Sequence, residues 1–312
     1  MASRIVVVGS LNADFVLGVE RFPAPGETIA GREFAVIPGG KGANQAYAAA
    51  RLGGRVSMVG QVGGDVHAEL LKRNLAEVGV DVAHVEIDES ASSGIAVITV
   101  DAQGQNQIVL IAGANGTFDV EELMKSEEVI AQAGFVLLQL EIPLSTVERA
   151  ARIGKANGAL VILDPAPARR ISDELLALAD YVTPNETELA ALTDSSFGEH
   201  LVARDAEAKA RELLSRGVRK VIVKMGAQGA LLVSAEESQS WPAVPVTPVD
   251  TTAAGDAFNA AFAVALADGR AETEAGRFAT AAAALSVMRR GAQPSMPTRG
   301  EVESLLTTAR RV

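Results

Sequence analysis

Short apolar runs alternate along this chain with stretches whose apolar residues recur every three to four positions. The runs Ile5–Val8, 56–59, 135–140, Leu160–Leu163, Lys220–Lys224 and Ala230–Val233 have the β-branched character of buried strands. Helical periodicity marks residues 43–51, 68–77, 146–155, 206–216 and 256–267, and an alanine-rich stretch at 271–285 reads as a further, tightly packed helix. Gly53, Gly79 and Gly217 stand where three of these helices need a C-terminal stop. Strands alternating with helices predict an α/β fold, a mostly parallel central sheet flanked by helices on both faces.

Two regions break the rhythm. Residues 14–36 have no helical period and read as extended segments punctuated by Pro23, Pro25, Gly26 and Gly31. Residues 93–111 read as a hairpin, with 94–100 and 107–111 flanking a turn at 101–104. Both are too short for a core of their own. The expectation is one α/β domain over residues 1–312, with 14–36 and 93–111 forming a small β-sheet lid over a site. A lid excludes water, which matters where water competes with an acceptor alcohol.

Composition narrows the function. At 312 residues and 48% hydrophobic, the chain can bury a large core. A formal net charge of −11 argues against nucleic acid or an anionic membrane as partner, so an anionic substrate needs local cations or backbone amides. The absence of cysteine removes disulfide and thiolate chemistry and fits a cytoplasmic location. Met1 leads directly into a strand with no secretory pattern, and no apolar run approaches the ~18 residues of a membrane span. His67, His84 and His200 are scattered, and neither a Gly-x-Ser-x-Gly elbow nor a strand-first Gly-x-Gly-x-x-Gly is present.

The candidate chemistry concentrates at helix starts and strand ends. Val249-Asp250-Thr251-Thr252-Ala253-Ala254-Gly255-Asp256-Ala257-Phe258-Asn259 places small residues and a carboxylate where an apolar helix begins. The free N–H groups there attract an anion, and Asp256 beside them suits a base for a hydroxyl. That pairing suits phosphoryl transfer to an alcohol, although Asp256 also fits as a plain N-cap. In Pro38-Gly39-Gly40-Lys41-Gly42-Ala43-Asn44-Gln45-Ala46, Lys41 and Asn44 offer donors and an acceptor for sugar hydroxyls. A glycine-rich turn with a surface lysine is the alternative, and Gly42 rules out a Walker A loop, which needs Ser or Thr there. Asn12 and Asp14 follow the first strand and Glu141 follows another, at the carboxyl edge where open α/β sheets bind ligands. Asn185, Glu186 and Glu188 are placed either to act on a magnesium ion or to start a helix at Thr183. Lys224-Met225-Gly226-Ala227-Gln228-Gly229 reads as a hairpin turn that would also leave room for a nucleotide.

Taken in order, these motifs resemble the ribokinase-like (PfkB) carbohydrate kinases. Gly39 to Ala46 is similar to the N-terminal sugar-site motif of ribokinases, and Asp250 to Phe258 to the family's C-terminal motif. Asn185-Glu186-Thr187-Glu188 resembles its Asn-x-x-Glu magnesium motif. Gly9 to Asp14, Asp164 to Ala168 and Gly291 to Ser295 match ribokinases at corresponding positions, so the likeness runs from about Ile5 to Ser295. The resemblance implies a Rossmann-like fold and the conversion of D-ribose and ATP to ribose 5-phosphate and ADP. Asp256 would be the base, with the N–H groups of Ala254, Gly255 and Asp256 as the anion hole. Asn12, Asp14, Gly40, Lys41, Asn44 and Glu141 would hold ribose. Asn185, Lys224, Gly226, Gln228, Gly229 and Gly255 would line the ATP site, with Thr280 near adenine. Glu188 would act on Mg2+ through water. A monovalent cation, usually K+, would lie among Asp250, Thr252, Ser286, Arg289, Gly291 and Ser295.

Ala253 stands where the motif commonly has glycine, which implies an ordinary backbone angle there. Thr280 stands where bulkier polar residues are common. Deoxyribose, fructose or a nucleoside is the alternative substrate, and a catalytically silent sugar binder is the alternative class. The open edges of a lid predict a homodimer formed by pairing lids.

Overall fold

The computed structural model describes residues 3–195 and 202–309; His200 lies outside them. The chain opens with β1 (Ile5–Val8), β2 (Asn12–Gly18), β3 (Glu33–Gly39), β4 (Val56–Gly63) and β5 (Asp81–Asp88). The strands β6 (Gly94–Val100), β7 (Asn106–Ile111), β8 (Phe135–Leu138), β9 (Leu160–Leu163) and β10 (Tyr181–Val182) follow. The last are β11 (Lys220–Lys224), β12 (Ala230–Val233) and β13 (Ser238–Trp241). One sheet has the order β13-β12-β11-β10-β9-β8-β1-β4-β5. From β11 to β5 all neighbours are parallel, and β12 and β13 add an antiparallel edge.

Side-chain alternation explains the layers. In β1, Ile5 and Val7 join one hydrophobic cluster and Val6 and Val8 the other, all fully buried. The first cluster takes in helices Lys41–Arg51, Val66–Glu77, Ala254–Ala267 and Glu272–Ser286; the second takes in Leu144–Ala156 and Ala203–Ser215. Burying each Val or Ile contributes about 1.5–3 kcal/mol, so a sheet covered on both faces is strongly favoured over one left half wet. Lys41–Arg51 buries Ala43, Ala46, Ala48 and Ala49, small side chains that let it pack closely on Ala254–Ala267. The N-termini of these two helices therefore meet at the carboxyl ends of the parallel strands.

A second, four-stranded sheet has the order β3-β2-β6-β7. It begins at Asn12, two residues before the expected extended segment, and residues 19–32 between β2 and β3 form no strand. The hairpin of β6 and β7 pairs Val100 with Asn106 around a turn. Every residue of β7 is exposed, including Ile108, Val109, Leu110 and Ile111.

Several bounds differ from the pattern's expectation. The first long helix starts at Lys41 rather than 43, because Gly40 takes φ 88° and turns the chain into it. β8 ends at Leu138, so Gln139 and Glu141 lie beyond the strand. The helix after β10 begins at Glu186, not at Thr183, with Asn185 as its N-cap. Among the described residues no helix is long and apolar enough to cross a membrane.

Candidate active site

The start of helix Lys41–Arg51 organises one half of the site. Its Lys41 N–H donates to Glu141 Oε2 at 3.0 Å, and Ser10 Oγ donates to the same oxygen at 2.5 Å. A carboxylate thus neutralises the positive end of the helix. Gly42 is required here: a Cβ would meet Ser10 N at 2.6 Å and the Gly9 carbonyl carbon at 2.7 Å. Asp14, on β2, sits against Gly39, where a Cβ would meet its Oδ2 at 2.1 Å. Its Oδ1 is buried with no partner. Burial, with Glu141 and Asp256 adding repulsion, pushes the Asp14 carboxyl up to about 7. Asn12 is held by Asn115, whose Nδ2 donates to Asn12 Oδ1 at 2.7 Å, so the Asn12 NH2 group faces elsewhere.

The other half is the start of Ala254–Ala267. Asp256 is buried in its first turn, and Asn44 Nδ2 donates to Oδ2 at 3.0 Å while Gln45 Nε2 donates to Oδ1 at 3.1 Å. Burial raises the Asp256 carboxyl to about 6; Lys41 pulls it down, Asp164 pushes it up, and the two amides pull it down again. At Lys41 burial opposes the charge, but Asp256, Glu141, Asp164 and Glu188 outweigh it and hold the ammonium above its ordinary range. Helix geometry leaves the N–H groups of Gly255 and Asp256 without intrahelical acceptors, and Ala254 N makes a long 3.3 Å bond to Thr251 O.

Ala253, the N-cap, corrects an expectation: its φ is 57°, left-handed, not the ordinary angle implied for an alanine. The tight entry from the 250–252 turn demands that conformation. An alanine there costs about 1–2 kcal/mol relative to its usual angle.

Lys224 bridges to the nucleotide side. Its Nζ donates to Asp164 Oδ1 at 2.9 Å and lies 4.0 Å from Glu188 Oε2. It also lies against Gly255, where a Cβ would meet Nζ at 3.1 Å. Burial disfavours the Lys224 charge, but Asp164 and Glu188 raise its affinity for the proton above the ordinary value. Asn185 pairs with Lys224 across the sheet edge and forms a capping box with Glu188: Asn185 N donates to Oε2 at 2.7 Å and Glu188 N to Asn185 Oδ1 at 2.9 Å. The helix-start reading therefore accounts for Asn185 and Glu188 as well as Glu186. Gly226–Gln228 is a short 3-10 turn joining β11 to β12, and at Gly229 a Cβ would strike Trp241 O at 2.1 Å. Thr280 stands apart on helix Glu272–Ser286. Its Oγ1 donates to Arg277 O, and it lines a cleft of about 580 Å³ with Pro242, Val244 and Arg277.

The remaining predicted positions surround one loop junction. Asp250 accepts from Thr252 N at 2.9 Å and from Gly291 N at 2.8 Å, tying the two loops together. Val287 O accepts from both Val249 N and Asp250 N. Ser286 and Ser295 donate their hydroxyls to Ala283 O and Ala292 O, which leaves oxygen lone pairs free, whereas the Arg289 side chain pairs with Glu301. One carboxylate among carbonyl and hydroxyl oxygens fits a weakly held monovalent cation. No group of three or more His, Cys, Asp or Glu suited to a metal occurs among the described residues.

Ser10, Gln45, Asn115, Gln139, Asp164 and Gln293 carry bonds in this region that sequence reasoning assigned to none of them. A signal existed for two: Gln45 interrupts an alanine-rich helix, and Gln139 interrupts an apolar run.

The pfkB family of carbohydrate kinases matches residues 2–299. Ribokinase of Haemophilus influenzae is 42% identical over 310 residues, covering 99% of this chain and 100% of that one. The crystal structure of Thermotoga maritima ribokinase superposes with a TM-score of 0.89 at 44% identity, covering 98% of this chain and 99% of that one. The structure of Arabidopsis thaliana ribokinase complexed with ribose and ATP gives a TM-score of 0.90 at 39% identity, with coverage of 98% and 99%. With nearly the whole chain matched and its two helix starts meeting at one buried aspartate, the protein belongs to the pfkB family of carbohydrate kinases.

Proposed function

We propose that this chain transfers the γ-phosphoryl group of ATP to O5 of D-ribose, with Asp256 as base. The observation that carries the reading is the buried Asp256 carboxylate, gripped at both oxygens within the first turn of a helix. Asp256 takes the O5 proton, the O5–P bond forms, the bond from phosphorus to the β–γ bridging oxygen breaks, and ADP leaves with the electron pair. The charge that builds on the phosphoryl oxygens is met by the N–H groups of Ala254, Gly255 and Asp256 and by Lys224 against Gly255. Asp14 supports a hydroxyl-rich ligand, because its buried Oδ1 lacks a donor that a sugar O–H would supply. Asn12, Gly40, Lys41, Asn44 and Glu141 complete the ribose site. Asn185, Gly226, Gln228, Gly229 and Thr280 would hold ATP.

Glu188 would reach Mg2+ through water, and Asp250, Thr252, Ser286, Arg289, Gly291 and Ser295 would hold K+. When bound, these ions supply positive charge to the phosphates and to the turn beside the anion hole. Residues 1–312 act as one α/β domain, with the second sheet as its lid. The exposed apolar β7 and Phe34 fit pairing of two lids in a homodimer.

A test is ADP release against ribose, 2-deoxyribose, fructose and adenosine, with the product's phosphate located by 31P NMR. Fastest turnover on ribose with phosphate on O5 is expected. Faster turnover on another acceptor would move the specificity, and no turnover with ribose still bound would favour a silent binder.

A further inference from the structure

The amides around Asp256 are ordered outward from the carboxylate. An ionised carboxylate only accepts hydrogen bonds, so Asn44 and Gln45 face it with their NH2 groups. Each then turns its carbonyl oxygen away, where it needs a donor. Gln139 Nε2 donates to Gln45 Oε1 at 2.8 Å, and Gln293 Nε2 donates to Asn44 Oδ1 at 3.2 Å. Gln293 in turn accepts from Asn74 Nδ2. The two glutamines come from separate elements: Gln139 directly follows β8, and Gln293 opens a short 3-10 turn two residues after Gly291. Both are buried, as are Asn44 and Gln45. Gln139 keeps its place although its Oε1 has no partner and is pressed on Gly9, where a Cβ would fall 2.1 Å away. An unsatisfied buried acceptor costs about 1–3 kcal/mol, which makes Gln139 a poor choice for packing alone.

We propose that Gln139 and Gln293 are positioning residues for phosphoryl transfer, each locking the amide that grips one oxygen of Asp256. The inference rests on Asp256 being the base. Without a donor at its carbonyl, the Gln45 or Asn44 amide is held from its NH2 side alone and is free to tilt off the line of its bond to the carboxylate. A Gln45 no longer held by Gln139 can also shift towards Asp164, to which its Nε2 donates at 3.0 Å. The charged groups facing Asp256 are Lys41, which favours its ionised form, and Asp164, which opposes it; Asp14 and Lys224 also feel its charge, and Glu141 faces Lys41 and Asp14. Neither glutamine is bonded to any of these groups among the described residues, so a shifted pH profile reports the amides.

The experiment compares wild type, Gln139→Met, Gln293→Met and Asp256→Asn in full-length enzyme, with urea midpoints for folding. Gln139→Asn and Gln293→Asn, which draw the amide back by one methylene, replace any methionine variant that fails to fold. We expect kcat to fall about tenfold in each glutamine variant, a fraction of the 10²–10⁴ that a placed base supplies, with KM for ATP within about twofold. The acid limb of kcat moves to higher pH, because lost N–H donors disfavour the carboxylate. Folded variants with a wild-type acid limb, or with the whole loss in KM for ribose, overturn the proposal. If Asp256→Asn retains turnover, the base assignment fails instead. If it is inactive while both glutamine variants behave as wild type, only the amide lock fails.

Discussion

Asp14 and Ala253 are two site residues whose state departs from the ordinary, and each makes a prediction. Asp14 is held near 7 by burial and by the neighbouring Glu141 and Asp256 charges, so close to neutral pH it carries a proton in part of the population. A sugar hydroxyl donating to it favours the carboxylate and lowers that value towards the ordinary 3.8. Ribose binding at about pH 6.5 therefore releases protons. Titration calorimetry in two buffers of different ionisation enthalpy checks this; identical apparent enthalpies would contradict it. Ala253, left-handed at φ 57°, is strained where glycine would not be. Ala253→Gly removes about 1–2 kcal/mol of strain and returns about 0.4–1 kcal/mol through the freer unfolded chain. The variant should be equally or slightly more stable, and a urea midpoint clearly below wild type would count against the strained geometry.

Among the elements, the helix Lys41–Arg51 is sensitive to a single atom, because its first turn lies on the backbone leaving β1. Gly42→Ala would push a Cβ to 2.6 Å from Ser10 N, and backbone cannot yield as a flexible side chain would. We expect a loss of about 1–3 kcal/mol in stability and a much weaker ribose affinity, read by urea unfolding and calorimetry; unchanged values of both would refute the close approach. Elements of this kind were legible in sequence where apolar period was strong. β1, β9, β11 and β12 have the bounds that their apolar runs predict, and the alanine-rich helix begins and ends within one residue of its expected span. β5 and β13 were not legible, because Asp81–Asp88 is half polar and Ser238–Trp241 largely polar, and both are edge strands whose pairing partners, β4 and β12, supply their order. At the site, single glycines, Lys41, Asn44 and Asp256 are visible as motif residues, but the rest of the amide network around Asp256 comes from Gln45, which bonds it, and from Gln139 and Gln293 behind Gln45 and Asn44, and only folding brings them together.

For the whole molecule, the site lies where two helix starts, the parallel strand ends and the second sheet converge. Its free strand β7 exposes Ile108, Val109, Leu110 and Ile111, and pairing with a second copy would cover them. Leu110→Lys should then turn a sedimenting dimer into a monomer; a wild-type monomer at micromolar concentration would contradict the assembly. The central claim, that Asp256 takes the proton, is tested most directly by the pH dependence of kcat at saturating ribose and ATP, where bound ribose already holds Asp14 ionised, in wild type and Asp256→Asn, with ribose binding measured on both. Wild type should lose activity as pH falls through about 6, where the buried carboxyl takes up its proton. Asp256→Asn should bind ribose, lack that limb and turn over about 10²–10⁴-fold more slowly. A variant within a few-fold of wild type, or one that keeps the same acid limb, would show that another group takes the proton.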